Sequence, residues 1–335
     1  MAVDPLKVRE AHTLAMGRGM LACRFDPAGE RVAAGGMNAQ LTRCPLSEKK
    51  LGTAVHVDGH QSWLGALAYH PSGTRLFSAD YGGQLCCWNA TADDSSMVWS
   101  QPGHRGWIRA LAISPDGEWV ASAGNDKLVR VWSAATGKPL RTLEGHTEHV
   151  YSLAFHPTNM RLVSADLKGA VKEWDVNTGL DIRHSVVKEL FVQQQELRLG
   201  GVRAIAFDVA GKWLVCGGMS GFGSIGDGIG SPTIVLLDWS TGEAKQTGLP
   251  KEAARTFVTG AAFHPDGFIV AATGGLDRGY LLFWKIDQKE KEAFFQFKLP
   301  ESAWGMDLST AKNLIVTAHH DRQLRLYELP MVEKA

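Results

Sequence analysis

One pattern recurs along this chain: an apolar run, a turn built on proline and glycine, a second run, a tight turn, and a third run ending in tryptophan. The clearest copies are GHQSWLGALAYHPSGTRLFSADYGGQLCCW, GHRGWIRALAISPDGEWVASAGNDKLVRVW and GHTEHVYSLAFHPTNMRLVSADLKGAVKEW. Self-similarity at a fixed period constrains a fold strongly, because each copy is one small unit that cannot bury its apolar faces alone. The residues that close the third runs are Cys44, Trp88, Trp132, Trp174, Trp239, Trp284 and Tyr327, spaced by 44, 44, 42, 65, 45 and 43 residues. The spacing predicts seven units.

The turn between the first two runs repeats as well, in Asp26-Pro27-Ala28-Gly29, His70-Pro71-Ser72-Gly73, Ser114-Pro115-Asp116-Gly117, His156-Pro157-Thr158-Asn159, Asp208-Val209-Ala210-Gly211 and His264-Pro265-Asp266-Gly267. Proline presets φ at the second turn position and glycine or asparagine tolerates the fourth, so each reads as a hairpin. The histidines before the prolines are expected to be solvated turn residues. Runs such as RLVSA, VRVW and YLLFW are short, β-branched or aromatic and bounded by turn residues, and no window of a dozen residues sustains a helical period. The expected fold is all-β: a seven-bladed β-propeller of four-stranded antiparallel blades forming a single domain over residues 1–335. The segment 5–14 is strand-length and has no blade of its own. It is expected to complete the last blade and so close the ring, hiding a sheet edge.

The GH dipeptide, the Ser-x-x-x-Asp turn and the terminal Trp resemble those of the WD-repeat (G-beta-like) β-propeller family, over roughly residues 5–328. That resemblance implies a structural tetrad hydrogen-bonded inside a blade, complete in blade three as His104, Ser122, Asp126 and Trp132. Blades two and four keep His60 and Trp88, and His146 and Trp174, but place Gly82 and Lys168 where the turn Asp belongs. Blade seven has Asp321 with Tyr327 in the Trp place, blade one has Asn38 and Cys44, and blades one, five, six and seven lack the GH histidine.

Composition excludes several partner classes. Thirty-five basic residues balance thirty-five acidic ones, which leaves no electrostatic footprint for nucleic acid or an anionic membrane. The N-terminus mixes charges without an apolar core, so no signal peptide or spanning helix is expected. The five cysteines, Cys23, Cys44, Cys86, Cys87 and Cys216, never stand in C-x-x-C spacing. They read as reduced, buried thiols in a cytoplasmic protein.

The stretch Gly221–Gly230 contains G-x-G-x-x-G after a strand-like run. A dinucleotide fingerprint requires its last glycine to open a helix, yet Asp227-Gly228-Ile229-Gly230-Ser231-Pro232 does not start one. The segment reads as an insertion within blade five near 219–232, matched by a second one before it near 181–199. In the family the two links open on the same face, which makes the insertions neighbours. No catalytic residues, cofactor or metal are expected. The innermost runs offer Asp307 as their only carboxylate, Asp321 has a structural role, and His319 and His320 read as edging a turn. An alternative reading is a propeller enzyme acting on a small molecule under the blade-five loops, with Asp227 and the histidines near 319 as candidates.

The favoured reading is a non-catalytic scaffold that binds a protein or peptide, alone as a monomer or as a subunit of a complex. In the family, positions at the start of the innermost strand line the partner-binding face. Here they are Trp63, Trp107, Arg109, His149, Tyr151, Arg203, Phe257 and Trp304. Trp, Tyr and Arg supply much of the binding energy at interfaces, and the arginines point to an acidic or carboxylate-bearing peptide.

Overall fold

The computed structural model describes residues 2–91, 96–194, 197–220, 230–247, 255–287 and 291–332. Regular structure among the described residues is strand, apart from two single-turn 3-10 helices, Pro5–Lys7 and Lys188–Leu190. Seven antiparallel blades follow one another. Their innermost strands are Met20–Phe25, Leu64–Tyr69, Ile108–Ile113, Val150–Phe155, Ala204–Phe207, Thr256–His264 and Ala303–Ser309. Each blade has four strands in order from hub to circumference, and blade one divides its outer edge between Lys50–Leu51 and Val55–Val57.

The ring closes through Arg9–Ala15, which pairs antiparallel with Gln323–Glu328 as the outer strand of blade seven. The strand begins at Arg9, not Pro5, because Pro5-Leu6-Lys7 form the 3-10 turn that Asp4 caps through its carboxylate. The Val3 amide donates to Asp266 at 2.7 Å, and Glu328 receives both Arg9 and Lys49. His12 in turn accepts the Leu51 amide at 3.3 Å, so one N-terminal segment ties blades six, seven and one together.

No single core lies at the centre. The buried apolar side chains fall into seven clusters, each straddling two neighbouring blades, from blades one and two around to blades seven and one. Both faces of every blade are therefore covered, which is why the second strands, such as Arg75–Asp80 and Arg161–Asp166, are buried at successive positions instead of alternating. All five cysteines are free and buried in these clusters, and burial pushes the thiols up, that of Cys86 to about 11.

The hairpin turns carry a second job that local sequence does not announce. His156 is buried and His70 half-buried: their Nε2 atoms reach the carbonyls of Gly211 and Gly117 in the next blade's turn, at 3.0 and 3.1 Å. Gly117 (φ 77°) and Gly211 (φ 70°) are required twice over, by the left-handed backbone and because a Cβ would run into the histidine ring. His264 is buried and stacks on Phe268 at 4.5 Å.

In blade five, Trp213–Ser220 and Ser231–Asp238 pair antiparallel in unbroken register out to Ser220 opposite Ser231. The strands that flank the glycine-rich stretch are therefore antiparallel partners, whereas a dinucleotide site needs parallel strands joined by a crossover helix. Residues 221–229, Asp227 included, lie outside the described residues. The earlier insertion is shorter than 181–199, since Leu180–Val186 is the outer strand of blade four. It begins at Val187 with the 3-10 turn and continues as a hairpin, Phe191–Gln194 with Leu197–Gly200. This hairpin lies against the second strand of blade five, Trp213–Ser220, with Leu190 fully buried.

Candidate functional site

Inside blade three the Trp132 indole donates to Ser122 Oγ at 2.9 Å, Ser122 Oγ lies 2.8 Å from His104 Nε2, and His104 Nδ1 lies 2.7 Å from Asp126. Blades two and four hold the same network, although the turn-Asp positions are Gly82 and Lys168. Asp80 and Asp166, two residues after the serine and not four, reach His60 and His146 at 2.9 and 2.8 Å. Ser78 and Ser164 then link those histidines to Trp88 and Trp174. The carboxylate enters from the last residue of the second strand. Blade three has Gly124 there, where a Cβ would run into the Trp107 carbonyl, and its Asp sits in the turn instead. Burial alone would raise the Asp80 and Asp166 carboxyls, but the histidine hydrogen bonds and backbone N–H donors outweigh it and hold both below the usual range. Blade seven draws its histidine from the second strand: His319, fully buried, sits 2.7 Å from Thr317 Oγ1 and 2.9 Å from the Ser302 carbonyl. It does not edge an open turn. Burial, with Arg325 nearby, lowers its pKa to about 4.

Ser-His-Asp arrangements can activate a nucleophile, but Ser78, Ser122 and Ser164 are fully buried and each already accepts an indole N–H. No substrate reaches these hydroxyls. Among the described residues, no three His, Cys, Asp or Glu side chains converge as metal ligands.

The rim of the hub is different. Trp63 and Trp107 are 44% and 41% exposed, and a run of ring and guanidinium contacts leads from them around most of the channel mouth. Trp63 packs on Tyr81, and Tyr81 stacks on Trp107 at 4.3 Å with planes 5° apart. The Arg109 guanidinium lies 4.2 Å from the Trp107 ring centre and 4.5 Å from that of Tyr151. Arg203 lies 5.3 Å from Tyr151 and 4.5 Å from Phe257. Phe257 meets Trp304 edge-on at 5.8 Å, and Trp304 stacks on His320 at 4.2 Å. Seven of the eight rim positions join this arc. His149 does not; its carbonyl accepts the Leu167 amide.

Tyr81 and His320 belong to the arc without having been expected there. For Tyr81 the signal was positional: in blades one to four the residue after the second strand hooks its amide to the residue before the inner strand, as Tyr81 does to Trp63 and Asn125 to Trp107, both at 2.9 Å. Side chains at that place are thereby held over the rim.

Below the rim a cavity of about 480 Å³ occupies the hub, lined by Arg24, Tyr81, Arg109, Tyr151, Arg203 and Asp307 among others. Asp307 accepts the Phe25 amide at 2.8 Å; burial raises its carboxyl, with Arg24 opposing. Burial and the like charge of Arg109 lower the Arg203 pKa.

Three segments, 52–89, 95–133 and 137–175, match the WD domain, G-beta repeat. The chain is 25% identical over 209 residues to a guanine nucleotide-binding protein subunit beta of Arabidopsis thaliana, covering 59% of this chain and 54% of that protein. It is 30% identical over 156 residues to the chromatin assembly factor 1 subunit FAS2 homolog of Oryza sativa subsp. japonica, covering 43% and 31%. To pre-mRNA-processing factor 19 of Mus musculus it is 27% identical over 173 residues, covering 51% and 29%. The chain thus spans about half, or less, of the length of these curated relatives. With three matched repeats, relatives of the G-beta type and seven antiparallel blades closed by the N-terminal strand, the chain is a WD-repeat β-propeller.

Proposed function

We propose that this propeller is a non-catalytic scaffold, one folded unit that docks a protein or peptide on the rim of its channel. The observation that carries this reading is the arc from Trp63 to His320, in which two tryptophans keep more than two fifths of their surface in solvent while their neighbours hold them rigid. Pre-ordered aromatic and arginine side chains lose little conformational freedom on binding and bury large areas. Relatives named as subunits of a guanine nucleotide-binding protein and of a chromatin assembly factor support work inside a complex. The balanced charge favours protein over nucleic acid as the partner, and the free buried thiols fit a reducing compartment such as the cytoplasm.

Affinity capture from the native cell tests this, comparing wild type with the Trp63→Ala/Trp107→Ala/Trp304→Ala variant at matched melting temperature. Loss of one specific protein from the variant is expected. Capture of the same proteins by both would overturn the rim as the docking surface.

A further inference from the structure

Two cations share the channel mouth, and neither is paired with a carboxylate among the described residues. Arg109 comes from blade three and Arg203 from blade five, and both guanidinium carbons lie within 5.3 Å of the Tyr151 ring centre of the blade between them. The hydrogen bonds of Arg109 go to neutral partners, Asn125 Oδ1 at 3.0 Å and the Tyr81 hydroxyl at 3.1 Å. Arg203 Nε is buried and has no hydrogen-bond partner among the described residues. The same holds for Ser152 Oγ, whose residue is 6% exposed and lines the same cavity. Among the described residues neither arginine forms an ion pair with a carboxylate.

Such an arrangement is unfavourable when empty. Like charges in a partly desolvated cavity repel, and a buried donor left unfilled keeps its full desolvation cost. An oxyanion lodged in this cavity neutralises the pair, and the residues that carry the two unfilled donors, Arg203 and Ser152, both line it. Guanidinium groups suit carboxylate and phosphate because their N–H donors form a planar fork. The channel's own carboxylate does not compete. Strand register gives Trp304 in blade seven the place that Arg109 has in blade three, so Asp307 lies three residues further along its strand, deeper in the hub beside Arg24.

We infer that Arg109, Arg203 and Ser152 form an oxyanion seat in the channel mouth, which takes a carboxylate or phosphate group borne by an acidic side chain of the docked segment. The cavity is large enough for a side chain to enter from the rim. The source of the anion rests on the rim reading; the seat itself does not.

Calorimetric titration at constant ionic strength tests it with four probes: citrate, inorganic phosphate, a blocked peptide carrying consecutive glutamates, and its glutamine counterpart. Citrate, phosphate and the glutamate peptide are expected to bind wild type and to bind Arg203→Met about tenfold more weakly. Methionine keeps the contacts with Tyr151 and Phe257, so the anion-free variant should melt no lower than wild type. Should Arg203→Met fold poorly, Ser152→Ala supplies the same comparison with a loss of about threefold. Equal binding by wild type and both variants, or no binding of any anion, overturns the seat. Citrate binding without preference for the glutamate peptide overturns the side-chain source alone. Capture lost in the tryptophan variant while citrate still binds separates the rim from the seat.

Discussion

Blades two to four and blades six and seven share one strand plan but are held together differently. In the first group each blade buries a relay of His, Ser, Asp and Trp, with every polar atom of the relay paired. In the second, aromatic packing carries more of the load: Phe283 lies among Phe268, Phe294 and Phe295, Phe297 meets Tyr327 edge-on at 5.6 Å, and blade seven keeps only the shorter buried pair of His319 and Thr317. The matched repeats, which end at residue 175, coincide with the relays, whereas the ring continues without them. The relay is therefore one way to lock a blade interior, and the turn and strand pattern, common to both groups, builds the ring.

That contrast can be broken at its seam. Removing residues 1–14 strips the outer strand from blade seven and leaves Glu328 with Lys49 alone, and the loss of five of the six paired positions should lower the melting temperature by about 10 °C. An unchanged melt by circular dichroism would mean that the closing strand is ornamental. Asp80→Ala should cost about 3 kcal/mol by denaturant titration, since it strands a buried histidine; Gly82→Ala, at the turn position, should not mimic it. Acid should separate the groups further. The folded pKa of His319 lies below its ordinary value, so stability is complete above about pH 6.5 and falls as pH drops toward 4, by up to about 3 kcal/mol. His319→Gln should flatten that slope. The depressed carboxyls of Asp80 and Asp166 lose their contribution only at lower pH, as the pH falls below the ordinary carboxylate range. The smallest effect belongs to Tyr327→Phe. Its buried hydroxyl has no partner among the described residues, so its removal should change stability by less than about 1 kcal/mol.

The blades were legible in the sequence because a Pro-Gly turn and a short β-branched or aromatic run are local signals. The relay of blade three was expected from the resemblance to WD repeats, whose Ser-x-x-x-Asp turn Ser122 and Asp126 carry. Asp80 and Asp166 were missed because their carboxylates take the same place in space from a different place in the chain, two residues earlier in the ladder. His70 and His156 were misread because their partners, Gly117 and Gly211, belong to the following blade. Contacts across blades leave no trace in local spacing, which is also why Tyr81 and His320 were not anticipated beside Trp63, Trp107 and Trp304, whose positions the family resemblance pointed to.

Hydrogen exchange with the captured partner bound tests the central claim most directly. If the rim is the docking surface, protection on binding will concentrate at the starts of the inner strands, around residues 63–65, 107–109, 149–151, 203–204, 257–259 and 303–305. Protection confined to outer strands such as Met97–Pro102 or Leu180–Val186, with the rim unchanged, would contradict it.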